Sequence, residues 1–397
     1  MLPTVVHLPA EVTAAWPHTE NSEGPMSKHS FKLRAVAVCI LVLAGVVLPQ
    51  PAGAAVGLYD IPEQYLASPV DDTGAFSGWA YASYLSVMNY RLKQGWTTPL
   101  LNVDDLVFNH GFEYGPNDGG QWYMSTAYMS RLSGPLTAIT GQRDLFLTGS
   151  IVYEGQAAMK AAVESDTALY VDVYDQYGHY ADTATIVGYD DSITSWKIRS
   201  QAGDSYVPYA QCDTYGVSFE TAENNIVTGA YQYDYFGQVT YMQRPAGIDT
   251  LHVANKFHTS AEEELAAVGF YTIGENVGYE LRIYGSHLLG GAPQNHLLTM
   301  TGTIANEGFH VVDLEQIINL ASGQDFMIWL KLDNYLYAVD MPDEDYCGSV
   351  WDGEGMSIYT YTGDPWYVLS DYYDSANWSI KAYTIPEPGT LALVAAG

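Results

Sequence analysis

The pattern of apolar and polar positions divides the chain into a part with helices and a part made of short strands. Apolar side chains recur at helical spacing in three segments of the first part, residues 79–92, 123–132 and 155–164. A run rich in β-branched and aromatic residues predicts a strand at 168–174. The first part is therefore predicted to mix helices and strands.

The second part begins after the turn-forming triplet Pro245-Ala246-Gly247. Short apolar runs separated by Gly, Asn and Asp predict seven strands there, at 251–257, 265–272, 279–284, 308–314, 324–332, 356–361 and 378–383. Strands at this spacing are typical of a β-sandwich. The whole chain is predicted to be an α+β protein of two domains, residues 55–245 and 250–384.

The N-terminal region reads as an export signal that starts at Met26 rather than at Met1. Three basic residues precede an apolar run at 35–48, and Ala52-Gly53-Ala54 fits a cleavage site. Residues 26–54 are thus predicted to be a signal peptide, with the mature protein starting near Ala55. An uncleaved membrane anchor is the alternative.

Charge narrows the range of partners. The chain has 46 acidic and 15 basic residues and a net charge of −31, which argues against nucleic acid as a partner. An acidic solvated surface explains this balance, and Asp340, Asp343, Glu344 and Asp345 are predicted to form a solvated loop rather than a Ca²⁺ site. The sequence predicts no metal site and no cofactor.

The three cysteines do not define a disulfide. Cys39 lies within the predicted signal peptide, while Cys212 and Cys347 lie in different predicted domains. Export permits a disulfide between these two, and two separate thiols fit the sequence equally well.

Motifs of the first part resemble papain-like cysteine peptidases. The stretch Trp79-Ala80-Tyr81-Ala82-Ser83 is similar to the start of the family's central helix, which follows Gln-Gly-x-Cys-Gly-x-Cys. Residues 181–190 are similar to the family's strand His-Ala-Val-x-Ile-Val-Gly-Trp/Tyr-Asp, and residues 196–203 to its Lys-Asn-Ser-Trp-Gly strand. The Gly-rich loop 109–120 resembles the segment found in members that carry a lectin-like domain, although a tight turn alone also explains residues 117–120.

The resemblance implies that the catalytic residues of that family are missing here. Its nucleophilic Cys falls on Gly78 or is deleted, its general-base His on Asp182, and the Asn that orients the His on Ser200. Its oxyanion-hole Gln falls near Thr73. Acyl transfer needs a nucleophile, a base and oxyanion donors, so the chain is predicted to be an inactive pseudopeptidase.

A relocated catalytic pair is the alternative within this part of the chain. Ser77 precedes Gly78 by one residue, and His179 precedes Asp182 by three. Such a pair requires two independent changes in the backbone. The side chain of Ser77 points away from the direction of Gly78 on a helix, and the side chain of His179 points to the opposite face from Asp182 on a strand. A hydrolase with displaced residues therefore stays the second hypothesis.

The strand order of the second part resembles the lectin-like domain found behind such peptidases. Its similar segments are 254–257, 268–271, 308–310 and 380–383. Aromatic side chains can stack on sugar rings, and the candidates for ligand contact are Trp351, Tyr359, Tyr361 and Trp366. Packing in the core is the ordinary role of each of these residues.

The C-terminal Pro386-Glu387-Pro388 resembles the PEP-CTERM sorting signal of bacterial proteins processed by exosortases, in a truncated form spanning 385–397. Together these features predict a secreted or cell-surface protein that binds an extracellular glycan or peptide. A purely structural matrix component is the third hypothesis.

Overall fold

The computed structural model describes residues 5–7, 57–68, 77–97, 101–109, 120–131, 145–223, 227–288, 291–342, 355–363 and 365–385. The predicted signal peptide, Thr73, Trp351, Cys347 and the C-terminal motif 386–397 lie outside the described residues.

The described helices are α1 (Gly78–Lys93), α2 (Val103–Asn109), α3 (Trp122–Ser130) and α4 (Gln156–Glu164). The sequence predicted α1, α3 and α4 and missed α2. The strands that precede residue 224 are β1 (Val5–His7), β2 (Leu58–Asp60), β3 (Leu147–Glu154), β4 (Leu169–Tyr174), β5 (Tyr180–Asp190), β6 (Ser195–Ser200), β7 (Gly203–Pro208) and β8 (Tyr215–Thr221).

Later strands are β9 (Gly229–Tyr231), β10 (Thr240–Gln243), β11 (His252–His258), β12 (Glu263–Thr272), β13 (Val277–His287), β14 (Pro293–Ile304), β15 (Glu307–Leu320), β16 (Asp325–Leu332), β17 (Leu336–Asp340), β18 (Ser357–Thr360), β19 (Tyr367–Val368), β20 (Asn377–Trp378) and β21 (Ile380–Ile385). All seven predicted strand regions of the second part contain strands, and the fold is mixed but mostly β. Among the described helices, none combines the length and apolar character needed to cross a bilayer.

Helix α1 lies at the centre of the first part and is buried on nearly every side. Its polar residues are satisfied internally, which a buried helix requires. The Asn89 side chain donates to the carbonyl oxygens of Tyr65 and Asp166 and accepts from the Ala168 N–H. The Arg91 guanidinium donates to the Thr221 hydroxyl at 3.0 Å. These bonds fix the axis of α1 against the neighbouring strands.

One eleven-stranded sheet passes through both parts of the chain. Its order is β7-β6-β5-β4-β8-β3-β15-β12-β21-β9, and β2 also pairs with β5. Strands β3 and β15 form the antiparallel junction, with Phe309 opposite Ser150. Gly308 has φ +132°, and any Cβ at this position would collide with the carbonyl oxygen of Ser150. Only glycine permits this approach of the two backbones.

The second part encloses its core between two layers of strands. The six-stranded sheet β14-β13-β16-β11-β18-β19 supplies Val253, Leu281 and Ile328 to this core. Val268 of β12 and Ile380 of β21 enter it from the eleven-stranded sheet. A four-stranded sheet, β1-β10-β17-β20, completes the region. This arrangement agrees with the sandwich that the strand spacing predicts.

A buried ion pair lies at the junction of the two parts. The Lys381 ammonium contacts the Asp234 carboxylate at 2.8 Å, and both side chains are 0 % exposed. Nearby, the Tyr383 hydroxyl donates to the Ser130 carbonyl oxygen at 2.8 Å, and the Arg131 guanidinium donates to the Tyr235 carbonyl oxygen at 3.1 Å. Because Ser130 and Arg131 end α3, these bonds tie that helix to the strands of the second part.

Candidate functional site

The position that resembles the catalytic cysteine carries no side chain, and a carboxylate occupies the space beside it. Gly78 is the first residue of α1. A Cβ on Gly78 would lie 2.8 Å from Asp182 Oδ1 and 3.2 Å from the Thr183 carbonyl oxygen. The fold therefore brings Gly78 and Asp182 together, which are the two positions that the resemblance assigns to the family's Cys and His.

The Asp182 carboxylate lies at the positive end of the α1 dipole. An anion is favoured at that place, where the family holds its thiolate. The Thr183 N–H donates to Asp182 Oδ1 at 2.8 Å. Although Asp182 is exposed, the protein atoms around its carboxyl group displace water and raise its pKa, while the Thr183 N–H acts in the opposite direction. Asp182 can accept a proton or bind a cation, and Gly78 beside it supplies no side chain that it could activate.

Gln201 reaches the start of α1, which the sequence did not predict. Its side-chain amide donates to Ser77 Oγ at 2.8 Å. Ser77 occupies the N-cap position of α1, although its side chain makes no capping bond to the helix. The neighbouring Ser200 accepts from the Ala202 N–H at 3.2 Å, within the turn after β6. In the sequence, the only feature that could have indicated this contact is the presence of a long polar side chain, Gln201, in the motif at 196–203.

A hydrogen-bonded relay starts one residue beyond Asp182. The Thr183 hydroxyl donates to Asp172 Oδ1 at 2.8 Å and lies 2.7 Å from the Tyr180 hydroxyl. Because the Thr183 proton points to Asp172, the Tyr180 hydroxyl donates to Thr183. A register shift between β4 and β5 places Tyr180 opposite Tyr174 and Asp182 opposite Val173. The relay thus links a buried carboxyl group to the half-exposed Tyr180.

Asp172 is one of two adjacent carboxyl groups with perturbed pKa values. Burial, followed by the charge of Asp213, raises the pKa of Asp172 to about 7. Burial also raises the pKa of Asp213, although the Tyr174 hydroxyl donates to it at 2.8 Å. These groups can hold and release protons, and their described partners include the Thr183 and Tyr174 hydroxyls. Perturbed pKa values here identify a functional-site candidate without defining a reaction.

The thiol of Cys212 does not have the properties of a catalytic nucleophile. Cys212 is a buried free cysteine. It packs with Met159, Trp196 and Ile198 in an apolar cluster, and burial raises the pKa of its thiol to about 12. The thiol therefore stays protonated at neutral pH and is a poor nucleophile.

The alternative pair of Ser77 and His179 is not assembled. Ser77 is 0 % exposed, so a substrate carbonyl cannot reach its hydroxyl. His179 is exposed, and its ring lies 3.2 Å from the Asp175 carboxylate within the turn between β4 and β5. The two residues have separate partners, and the described geometry gives no support to relocated catalysis.

The aromatic candidates of the second part differ in their exposure. Tyr359 is 1 % exposed and packs in the core, so its assignment as a ligand contact is corrected to a structural role. Tyr361 and Trp366 are half-buried. Tyr367 and Tyr372, which were not singled out, lie beside them with ring centroids 6.2 Å apart. We call the rings of Tyr361, Tyr367 and Tyr372, which surround Tyr359, the tyrosine patch.

Comparison with known protein families finds a match for the second part of the chain. Residues 230–384 match the family model described as Lectin like domain. We refer to them as the lectin-like region. The match starts at β9, which pairs with β21, and includes β10, which pairs with β17. No curated protein sequence gave a significant match.

Solved structures share the fold of both parts. A variant of the clostridial cysteine protease Cwp84 after propeptide cleavage superposes with a TM-score of 0.71 at 16% identity, covering 83% of this chain and 99% of that one. The cysteine protease and lectin-like domains of Cwp84, a surface layer associated protein of Clostridium difficile, give a TM-score of 0.68 at 16% identity over 83% of this chain and 89% of that one. At this identity the similarity establishes the fold alone.

The described side chains do not form a metal centre. Within the described ranges, no three His, Cys, Asp or Glu residues are grouped so that they could hold an ion. Of the four acidic residues of the predicted loop, Asp340 is buried in β17. The other three lie outside the described residues. Asp340 therefore does not belong to a solvated loop, and burial raises its pKa well above the usual range.

Proposed function

We propose that this protein is a secreted, catalytically inactive papain-like pseudopeptidase with a lectin-like β-sandwich, and that it binds a peptide or a glycan outside the cell. One observation carries the proposal: Gly78 has no side chain, and the Asp182 carboxylate occupies the space in front of it. In this proposal residues 55–245 form the pseudopeptidase domain and residues 250–384 the sandwich. The degenerate positions are Thr73, Gly78, Asp182 and Ser200.

The cleft suits a peptide that carries a positive charge. Asp182 is exposed, and none of the described Lys or Arg side chains forms an ion pair with it. Tyr180, which is 52% exposed, adds an aromatic surface held in place by the relay to Asp172. A carboxylate and an aromatic ring are the groups that bind ammonium and guanidinium ions.

The tyrosine patch suits a glycan. Tyr367 and Tyr372 combine an apolar ring with a hydroxyl group, and Tyr372 is 39% exposed. Such side chains supply stacking surface and hydrogen bonds at little entropic cost. The match of this region to a lectin-like domain supports the assignment. The surface-layer association of Cwp84 supports a location at the cell surface, where the C-terminal Pro-Glu-Pro motif would meet exosortase-type machinery.

The test uses the chain that begins at Gly57, purified and applied to a peptide array and a glycan array. We expect a ligand on at least one array. Asp182→Asn, which keeps the size of the side chain, is expected to weaken binding of a cationic peptide about tenfold, because charge-assisted bonds are stronger than neutral ones. Tyr372→Ser is the matched variant for a glycan. Absence of ligands on both arrays would refute a binding function.

A further inference from the structure

The buried pair of Lys381 and Asp234 differs from every other described ion pair in its isolation from water. The Lys381 ammonium donates to Asp234 Oδ2 at 2.8 Å and to the Asp234 backbone carbonyl oxygen at 3.0 Å. Both side chains are 0% exposed, whereas each other ion pair among the described residues includes a side chain that is at least 31% exposed. The amine nitrogen of Lys381 is therefore held against a carboxyl group in a dry interior.

A second buried carboxyl group lies close enough to this pair to interact with both of its charges. The charges of Asp234 and Lys381 both act on Asp340, whose side chain is 0% exposed. Asp340 Oδ2 accepts from the Phe236 N–H at 3.2 Å. The buried Oδ1 atoms of Asp340 and Asp234 have no hydrogen-bond partner among the described residues. Buried polar atoms of this kind are rare in native proteins, and here they leave two carboxyl oxygens free to exchange protons.

Burial favours the uncharged forms of both members of the pair. It lowers the pKa of Lys381 and raises the pKa of Asp234, while the attraction between the two charges acts in the opposite direction. Two charges held away from water are costly, and a neutral amide in their place would remove that cost. Contact at hydrogen-bond distance also replaces the encounter of two free molecules with a reaction inside one chain. Condensation of the amine with the acid is therefore favoured at this place.

We propose that the Lys381 amine and the Asp234 carboxyl group condense to form an intramolecular amide bond, with Asp340 transferring the protons. The Nζ lone pair of Lys381 attacks Asp234 Cγ, and the C–N bond forms. One C–O bond of Asp234 then breaks, and this oxygen leaves as water with two protons that come from the ammonium group. Asp340 takes each proton from nitrogen and delivers it to oxygen, so it ends in the protonation state in which it began.

The bond would cross-link the lectin-like region over a long stretch of sequence. It would join β21 to the segment that follows β9, across 147 positions, and these strands already pair with Ala382 opposite Tyr231. A cross-link of this length stabilises a fold mainly by restricting the unfolded chain. Unlike a disulfide, an amide bond is not broken by reductants. The proposal is independent of ligand binding at the cleft or at the tyrosine patch.

The test is a tryptic digest of the full chain after denaturation and reduction, followed by tandem mass spectrometry. We expect a branched peptide that joins Lys381 to Asp234, with the mass of its two parts less one water molecule. Lys197 and Asp60 lie 3.2 Å apart but are partly exposed, and they are the internal control, which should appear only in linear peptides. Recovery of Lys381 and Asp234 only in linear peptides would overturn the proposal.

The variant Asp340→Asn separates proton transfer from packing. The amide keeps the size of the side chain and can still accept from the Phe236 N–H, but it does not carry protons from nitrogen to oxygen. We expect the cross-linked fraction of freshly synthesised chain to fall at least about tenfold, with the near-ultraviolet circular dichroism of a folded protein retained. Cross-linking of the folded variant at the parental rate would overturn the role of Asp340.

Lys381→Met has no amine and should give only linear peptides, which establishes the baseline for both experiments. A branched peptide in that variant would assign the cross-link to another lysine and overturn the proposal. If Asp340→Asn does not fold, the digest of the parent chain still decides whether the bond forms.

Discussion

The cleft at Gly78 and the junction at Lys381 handle charge in opposite ways. At the junction, Lys381 and Asp234 are both fully buried and contact each other at 2.8 Å. At the cleft, Asp182 is exposed and faces a glycine. Removal of either partner of the buried ion pair would greatly lower the stability of the fold, because the remaining charge would be buried alone. The cleft can change its side chains at little cost in stability, so the fold can persist without the chemistry.

The largest expected effect comes from breaking the junction. Lys381→Met removes the cation and leaves the Asp234 carboxylate buried, which is expected to lower the free energy of unfolding by about 3–5 kcal/mol. Denaturant unfolding of the chain that begins at Gly57 measures this loss. The double variant Lys381→Met, Asp234→Asn should recover part of it, because no charge is then left alone.

Lys331→Met is the control for that experiment. Lys331 lies on β16 and is only half-buried, so its replacement should change stability by less than about 1 kcal/mol. Equal losses of unfolding free energy in the two lysine variants would show that the buried ion pair contributes no more to stability than a half-buried lysine does.

The pH dependence of stability should reveal Asp172. Its pKa in the folded chain is about 7, above the unfolded value, so the folded state holds an extra proton between about pH 4 and pH 7. Stability is therefore favoured at low pH and falls as the pH rises through this window, by an amount on the order of a few kcal/mol. Urea unfolding between pH 4 and pH 8 measures the slope.

Asp172→Asn should reduce that slope, although the other carboxyl groups with raised pKa values still contribute to it, and should stabilise the chain at pH 8, since the amide oxygen still accepts from Thr183. Asp371→Asn, at an exposed position, serves as the control and should leave the slope unchanged. A slope that persists unreduced in Asp172→Asn would assign the titration to another group.

A smaller change in stability is expected if the Asp182 side chain fills the space that a side chain at position 78 would need. Gly78→Cys places a side chain 2.8 Å from Asp182 Oδ1, and we expect a loss of about 1 kcal/mol. In the Asp182→Ala background this loss should shrink, with a coupling of about 0.5–1 kcal/mol in a double-mutant cycle. Asp182→Asn keeps the volume and should not relieve the clash. Additive losses in all backgrounds would mean that the two positions are independent.

Local patterns were enough to predict much of this fold. Helix α1 followed from its apolar spacing and strand β5 from the resemblance of its motif, and the two motifs together placed Gly78 near Asp182. Strand β14 was missed because half of its residues are exposed and polar, which hides the alternation. The pairing of β3 with β15 depends on the close approach at Gly308 to a partner about 160 residues away, and no local pattern encodes that distance.

The side-chain partners within the site were less predictable. The bond from Gln201 to Ser77 joins residues 124 positions apart, and the relay from Tyr180 to Asp172 depends on a register shift between β4 and β5. Tyr359 and Tyr361 are alike in sequence, yet the first lies in the core. Burial of individual rings follows from tertiary packing, which a strand pattern does not specify.

The most direct test of the proposal that this chain lacks a catalytic nucleophile is a turnover measurement on the chain that begins at Gly57. We expect no hydrolysis of a fluorogenic casein substrate above the buffer rate between pH 5 and pH 8, and no effect of iodoacetamide or of Ser77→Ala. Hydrolysis that either treatment abolishes would contradict the account, because a thiol or the Ser77 hydroxyl would then be doing the chemistry that Gly78 cannot do.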